Sequence, residues 1–246
     1  MRLLSYAAAL AWVTGCAATE TGNPVAMQRL ALTAVSSAAQ VQLEPGGNAE
    51  VLVEEAWIVL GDVRFIPGND CDSGHDDAGR VDISGPTVVE LLSDPAPLSF
   101  EVEDREYCRV RLPLERADEV PRSAPEALED HAVVLIGSLA DGTPFEVRSR
   151  DKREAEVRSR SEPFRLGGAE AGLLLAFDVG RWLEGLDLAG AEDDGDGRIV
   201  IDDDDNRDLL DQFEQNMREA LELFRDLDED GQLDDDERSN PLAVGG

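Results

Sequence analysis

Between about residues 28 and 178 the chain is cut into short β-type runs by turn residues, and this rhythm limits the fold more than any other feature. In "AEVLVEEAWIVLGDVRFIP" the residues Val51, Val53, Trp57, Val59, Val63 and Phe65 fall on one face of an extended chain, the period of a half-buried strand. Similar runs follow in "PTVVELL", "LSFEVED", "YCRVRLPL", "HAVVLIGSLA", "FEVRSR" and "AGLLLAFDV", separated by "PGN", "SG", "DP" and "DG", which mark turns. About eight to eleven strands at roughly ten-residue spacing, with no helical crossovers, predict a mainly β fold, an antiparallel β-sandwich over residues 28–178.

The chain has 246 residues, 42% of them hydrophobic, so it can bury a core despite a formal net charge of −32. That charge excludes nucleic acid and anionic lipid as electrostatic partners, since both are repelled, and leaves cations as the natural counterpart. From Glu192 to Glu237 there are 21 Asp or Glu against 4 Arg, a net of −17. This segment repels itself unless something neutralises it.

No catalytic constellation is recognisable. The two histidines are His75 and His131, and the chain has no G-x-S-x-G, H-E-x-x-H or phosphate-cradling glycine loop. His75, among Asp70, Asp72, Asp76 and Asp77, reads as an exposed loop residue with a metal role as the rival. His131 reads as structural, and Trp57 and Trp182 as core. The expectation is a protein that is not an enzyme.

The N-terminus, "MRLLSYAAALAWVTGCAATETGNP", has one early arginine, an apolar run from Leu3 to Val13 and small residues after it. Those are the marks of a secretory signal, too short to span a bilayer as a mature helix. Val13-Thr14-Gly15-Cys16 resembles the lipobox of bacterial lipoproteins. The resemblance implies a signal peptide at residues 1–15 and lipidation of Cys16. A tether then follows at 16–27, and Ala17 after the cysteine favours an outer-membrane anchor on its periplasmic or surface face. Several acyl chains hold firmly where one exchanges. Outside the cytoplasm the remaining pair, Cys71 and Cys108, reads as a disulfide, with two buried free thiols as the alternative.

"DLDEDGQLDDDE", Asp226 to Glu237, meets every position of a twelve-residue calcium loop. Such a loop takes oxygens from positions 1, 3, 5, 7, 9 and 12, with glycine at 6. Here those are Asp226, Asp228, Asp230, the Gln232 carbonyl, Asp234 through water and a bidentate Glu237, with Gly231 at 6 and Leu233 at 8. The stretch resembles an EF-hand loop and implies Ca²⁺ as the ligand. A weaker copy, "EDDGDGRIVIDD", offers Glu192, Asp194, Asp196, the Arg198 carbonyl and Asp203. Its aspartate at position 12 resembles the dockerin form, and its Val200 at position 9 brings no oxygen.

Between the loops Leu209, Leu210, Phe213, Met217, Ala220 and Phe224 recur at three and four residues with no Gly or Pro from Asp204 to Arg225. This predicts one amphipathic helix about 33 Å long, inside a C-terminal α-helical, EF-hand-like appendix over 179–240 that ends in a tail at 241–246. The composite expectation is a calcium-binding, lipid-anchored bacterial envelope protein with a structural or adhesive role. The alternative is a calcium-dependent glycan- or protein-binding module, and behind it stands a secreted hydrolase.

Overall fold

In the computed structural model, residues 24–35, 40–42, 50–72, 78–94, 97–160, 162–167 and 172–246 are described. The leader, Cys16, most of the tether and His75 lie outside the described residues. The protein is mainly β, with two sheets. Its strands are β1 (Val25–Ala34), β2 (Gln40–Gln42), β3 (Glu50–Leu60), β4 (Val63–Pro67), β5 (Val81–Ile83), β6 (Thr87–Glu90), β7 (Leu98–Glu103), β8 (Arg105–Pro113), β9 (Val133–Leu139), β10 (Pro144–Ser149), β11 (Glu154–Arg158), β12 (Phe164–Leu166) and β13 (Gly172–Phe177). A short helix α1 (Val179–Trp182) comes next. It is followed by β14 (Ile199–Ile201), α2 (Arg207–Glu219), β15 (Leu221–Asp226), α3 (Asp235–Arg238) and β16 (Ala243–Gly245).

The larger sheet runs β5-β4-β8-β11-β16-β15-β13-β1-β7 with β12 on β8, and its two ends approach each other, so it is nearly barrel-shaped. The smaller runs β14-β10-β9-β3-β2 with β6 on β3. Inward side chains of both sheets share one core: Leu30, Phe65, Val110 and Leu173 from the larger meet Val51, Leu135 and Phe145 from the smaller. Most pairings are antiparallel, as alternating short strands with tight turns require. Two are not: β1 lies parallel to β13, and β14 parallel to β10.

The alternation read through the third run breaks midway. A register shift between Val53 and Glu55 marks a bulge in β3, and one extra residue exchanges the faces of everything after it. Val51 and Val53 point into the main core, and beyond the bulge Ala56, Ile58 and Leu60 do so. Trp57 and Val59 face the other way, into a small cluster with Ala117 and Leu128 under the 114–131 connection.

The C-terminal third forms no separate helical appendix, and the 33 Å helix expected up to Arg225 is not formed. α2 stops at Glu219 and the chain re-enters as β15, hydrogen-bonded to β13 on one side and β16 on the other. Strands on both sides of residue 178 thus belong to the same sheets. The helical stripe ends with Met217. Leu221 and Leu223 then alternate into the core with period two, and two ready sheet edges outweigh weak helix propensity. α2 packs through Leu210, Phe213 and Met217, with Trp182 edge-on to Phe213 and Phe177. Among the described residues no helix is long and apolar enough to cross a membrane.

The Cys71–Cys108 disulfide is present, joining the loop after β4 to the buried middle of β8.

Candidate metal centre

Asp226 is the last residue of β15, and the loop to Glu237 leaves the sheet there. The strand fixes where the carboxyl sits. Its register partner is Gly172 of β13, and a Cβ at Gly172 would lie 3.3 Å from Asp226 Oδ2. The glycine therefore leaves room for the carboxyl. Asp226 is 5% exposed. Its Oδ1 is buried and accepts no hydrogen bond, a costly state for a polar atom.

Ligand atoms of Asp226, Asp228 and Glu237 lie within 4.8 Å of one another. At an effective dielectric of about 20, two carboxylates at that spacing repel by roughly 3–4 kcal/mol. Burial, then the charges of Glu237, Asp228 and Asp230, push the Asp226 carboxyl up to about 6, with the Gly231 backbone N–H pulling the other way. The arrangement gathers anionic oxygens, and among the described residues no arginine or lysine is ion-paired with Asp226, Asp228 or Glu237.

The loop is held by its own backbone. Gly231 takes φ 78°, which glycine adopts at no steric cost. The Asp230 backbone N–H donates to Asp228 Oδ1 (3.3 Å) and that of Gln232 to Asp230 Oδ1 (2.7 Å). Glu237 is oriented at both oxygens: Leu227 N donates to Oε1 (2.6 Å) and Asp234 N to Oε2 (3.2 Å). Asp234 caps α3 in a capping box with Glu237.

Of the six expected ligands, Asp226, Asp228 and Glu237 are brought together. Asp230 is turned onto Gln232 N and Asp234 onto the start of α3. The element entering the loop is a strand, where an EF-hand would have a helix.

Distant residues seat the loop. Arg29 of β1 pairs with Glu229, and Arg238 Nη2 donates to the Val35 carbonyl at 3.2 Å. Leu233, at position 8, packs with Ala31, Leu174 and Phe224 on the outer face of the larger sheet. Gly172, Arg29 and Val35 escaped the sequence reading because they stand 54 to 197 positions before Asp226, and no local pattern marks them.

The weaker loop is organised differently. Its carboxylates face guanidinium groups: Arg198 reaches Asp194 Oδ2 (3.4 Å) and Glu146 Oε2 (3.2 Å), and Arg150 reaches Asp203 Oδ2 (3.4 Å). The Asp194 carboxyl is held below its ordinary value by the Asp196 and Arg198 backbone N–H groups and then by the Arg198 side chain. Asn206 closes the loop by donating to the Glu192 and Val200 carbonyls (2.9 and 2.7 Å). Among the described residues Glu192, Asp194, Asp196, Arg198 and Asp203 are not gathered into a common ligand group, and Ile199–Ile201 is spent on β14.

His131 is buried, with Nδ1 2.8 Å from the Glu129 carbonyl, and burial lowers its pKa. No protein-family model, no curated protein and no solved structure matches this chain.

Proposed function

We propose that the protein is a calcium-ordered, non-enzymatic component of a bacterial envelope, a two-sheet sandwich anchored to the outer membrane through lipid on Cys16 and serving a structural or adhesive role. The observation that carries the calcium reading is Asp226: a buried carboxylate with an unpartnered oxygen, set against Asp228 and Glu237, and among the described residues none of the three is ion-paired with an arginine or lysine. A divalent cation offsets the repulsion among the three and gives that oxygen a ligand bond. Hard oxygens and a glycine at the sharp turn suit calcium over softer metals.

Such extracellular modules bind calcium at about 10⁻⁴ to 10⁻³ M. At ten times the dissociation constant a single site adds roughly 1.4 kcal/mol by mass action, or about 3–5 °C in melting temperature for a chain of this size. The test is calorimetric titration and thermal melting of the full chain beside Asp226→Ala and Glu237→Gln. Saturable binding and a calcium-dependent rise in melting temperature, both lost in the variants, are expected. No saturable heat, with identical melting in calcium and in chelator, would remove the calcium reading.

A further inference from the structure

The candidate metal loop reaches well beyond its own ligands. Between Asp228 and Asp230, Glu229 holds a left-handed backbone with φ 62°, which a residue with a Cβ adopts only where its surroundings fix it. Its carboxylate is paired with Arg29 of β1. Four positions on, Leu233 packs on a row of outward side chains that crosses three strands: Ala31 of β1, Leu174 of β13 and Phe224 of β15. Just past the loop, Arg238 Nη2 donates to the Val35 carbonyl at 3.2 Å, while the Val35 backbone N–H is bonded to the Phe177 carbonyl at 2.9 Å. An ion pair, an apolar contact and a hydrogen bond thus converge on residues 29–35, although Arg29 and Val35 stand 197 and 191 positions before Asp226.

The groups that gather for a metal close the same loop at its base. Asp226 is the last residue of β15 and Glu237 lies in α3, so a cation shared by their carboxylates joins sheet to helix. Glu229 follows Asp228 directly and Arg238 follows Glu237 directly. The ligands therefore set the positions of the two residues whose side chains reach β1. Without a cation, the carboxylates of Asp226, Asp228 and Glu237, whose ligand atoms lie within 4.8 Å of one another, repel and press the two ends of the loop apart.

We propose that the loop is a calcium-tightened clasp on β1. Calcium at Asp226, Asp228 and Glu237 fixes Glu229, Leu233 and Arg238 against residues 29–35, and its loss loosens all three contacts while β1 keeps its pairing with β7 and β13. This rests on the calcium reading of the loop and adds what the site controls: occupancy at one end of β15 is coupled to the order of a strand far away in sequence.

The test is hydrogen exchange of the full chain, read by mass spectrometry in saturating calcium and in chelator, with calcium binding measured alongside by calorimetry. Exchange at 31–35 and at 227–238 should slow about tenfold in calcium. The double variant Arg29→Gln/Arg238→Gln changes two exposed positions and should still fold and bind calcium. In it the loop should still slow, but the slowing at 31–35 should fall below about threefold, and Leu233→Ala should act in the same direction. Calcium binding with equal exchange at 31–35 in calcium and chelator, or an undiminished response there in the double variant, would overturn the proposal and leave the calcium reading standing. Absence of calcium binding would remove both, and the calorimetry tells the two failures apart.

Discussion

Asp226 makes the charge state of one side chain a stability variable. Its carboxyl is raised from 3.8 to about 6 by burial and by its acidic neighbours, so across that window the folded chain holds a proton that the unfolded chain has lost. Stability of the metal-free protein should therefore fall as pH rises from about 4 to 6, by about 1–3 kcal/mol. Urea midpoints measured across this range in chelator test the slope, and saturating calcium should flatten it. Asp226→Asn removes the buried charge while keeping the shape. In chelator at pH 7 it should be more stable than the parent by about 1–3 kcal/mol, while losing the calcium response. A variant less stable than the parent in chelator would show that the ionised carboxylate is favourable as it stands. The spacing of Asp226, Asp228 and Glu237 made these residues legible in the sequence, because calcium loops are local. The burial of the Asp226 carboxyl was not, since it sits against Gly172 in a strand 54 residues away.

Elements were legible where hydrophobic period and turn residues agreed, as in β8, β9 and β13. They were misread where two periods coexist. Leu209 to Phe224 satisfies a helical stripe, while Leu221 and Leu223 also alternate, and only the presence of β13 and β16 decides between them. Leu223→Ala should cost about 2–5 kcal/mol in chemical denaturation, as expected of a fully buried leucine. Leu227→Ala, at a residue 62% exposed, should change stability by less than about 0.5 kcal/mol. β3 was misread for a different reason: nothing in "VEEAW" announces a bulge, so Trp57 and Val59 were assigned to the wrong face. α2 is fixed by charge as well as by Phe213 and Met217. Asp151 accepts from Arg218 Nη1 (2.5 Å) and Arg153 Nε (2.8 Å), while Arg153 also reaches Glu214 (2.7 Å). Burial pushes the Asp151 carboxyl up, but hydrogen bonds from Arg153 and the charges of Arg153 and Arg218 outweigh it and hold it below 3.8. A depressed carboxyl adds stability above its unfolded pKa and loses it as pH falls through the folded one. Acid unfolding below about pH 4 should accordingly be milder in Asp151→Asn, although that variant starts roughly 3 kcal/mol less stable at neutral pH. Denaturation midpoints at pH 3 and pH 7 measure both effects.

Across the entire chain, the net charge of −32 sets a repulsive background that salt and calcium relieve differently. Raising monovalent salt from about 0.01 to 0.15 M shortens the screening length from roughly 30 to 8 Å and should raise the melting temperature in chelator without a saturation point. Calcium should act at far lower concentration and saturate. The disulfide adds a covalent constraint: with Cys71 and Cys108 separated by 37 positions, reduction should lower stability by about 4 kcal/mol on the chain-entropy account, readable as a loss of urea midpoint in reductant. The β1 strand carries a mechanical consequence. It is hydrogen-bonded along both edges, to β7 over Val25–Leu30 and to β13 over Leu30–Ala34, and Arg29 and Val35 tie it to the 226–238 segment. Tension on the chain before Pro24, directed along β1, loads these bonds in shear, so many must fail together. A chain entering through an edge hairpin would peel open one bond at a time, whereas this one meets traction from its N-terminal side as a bolt set within the sheet.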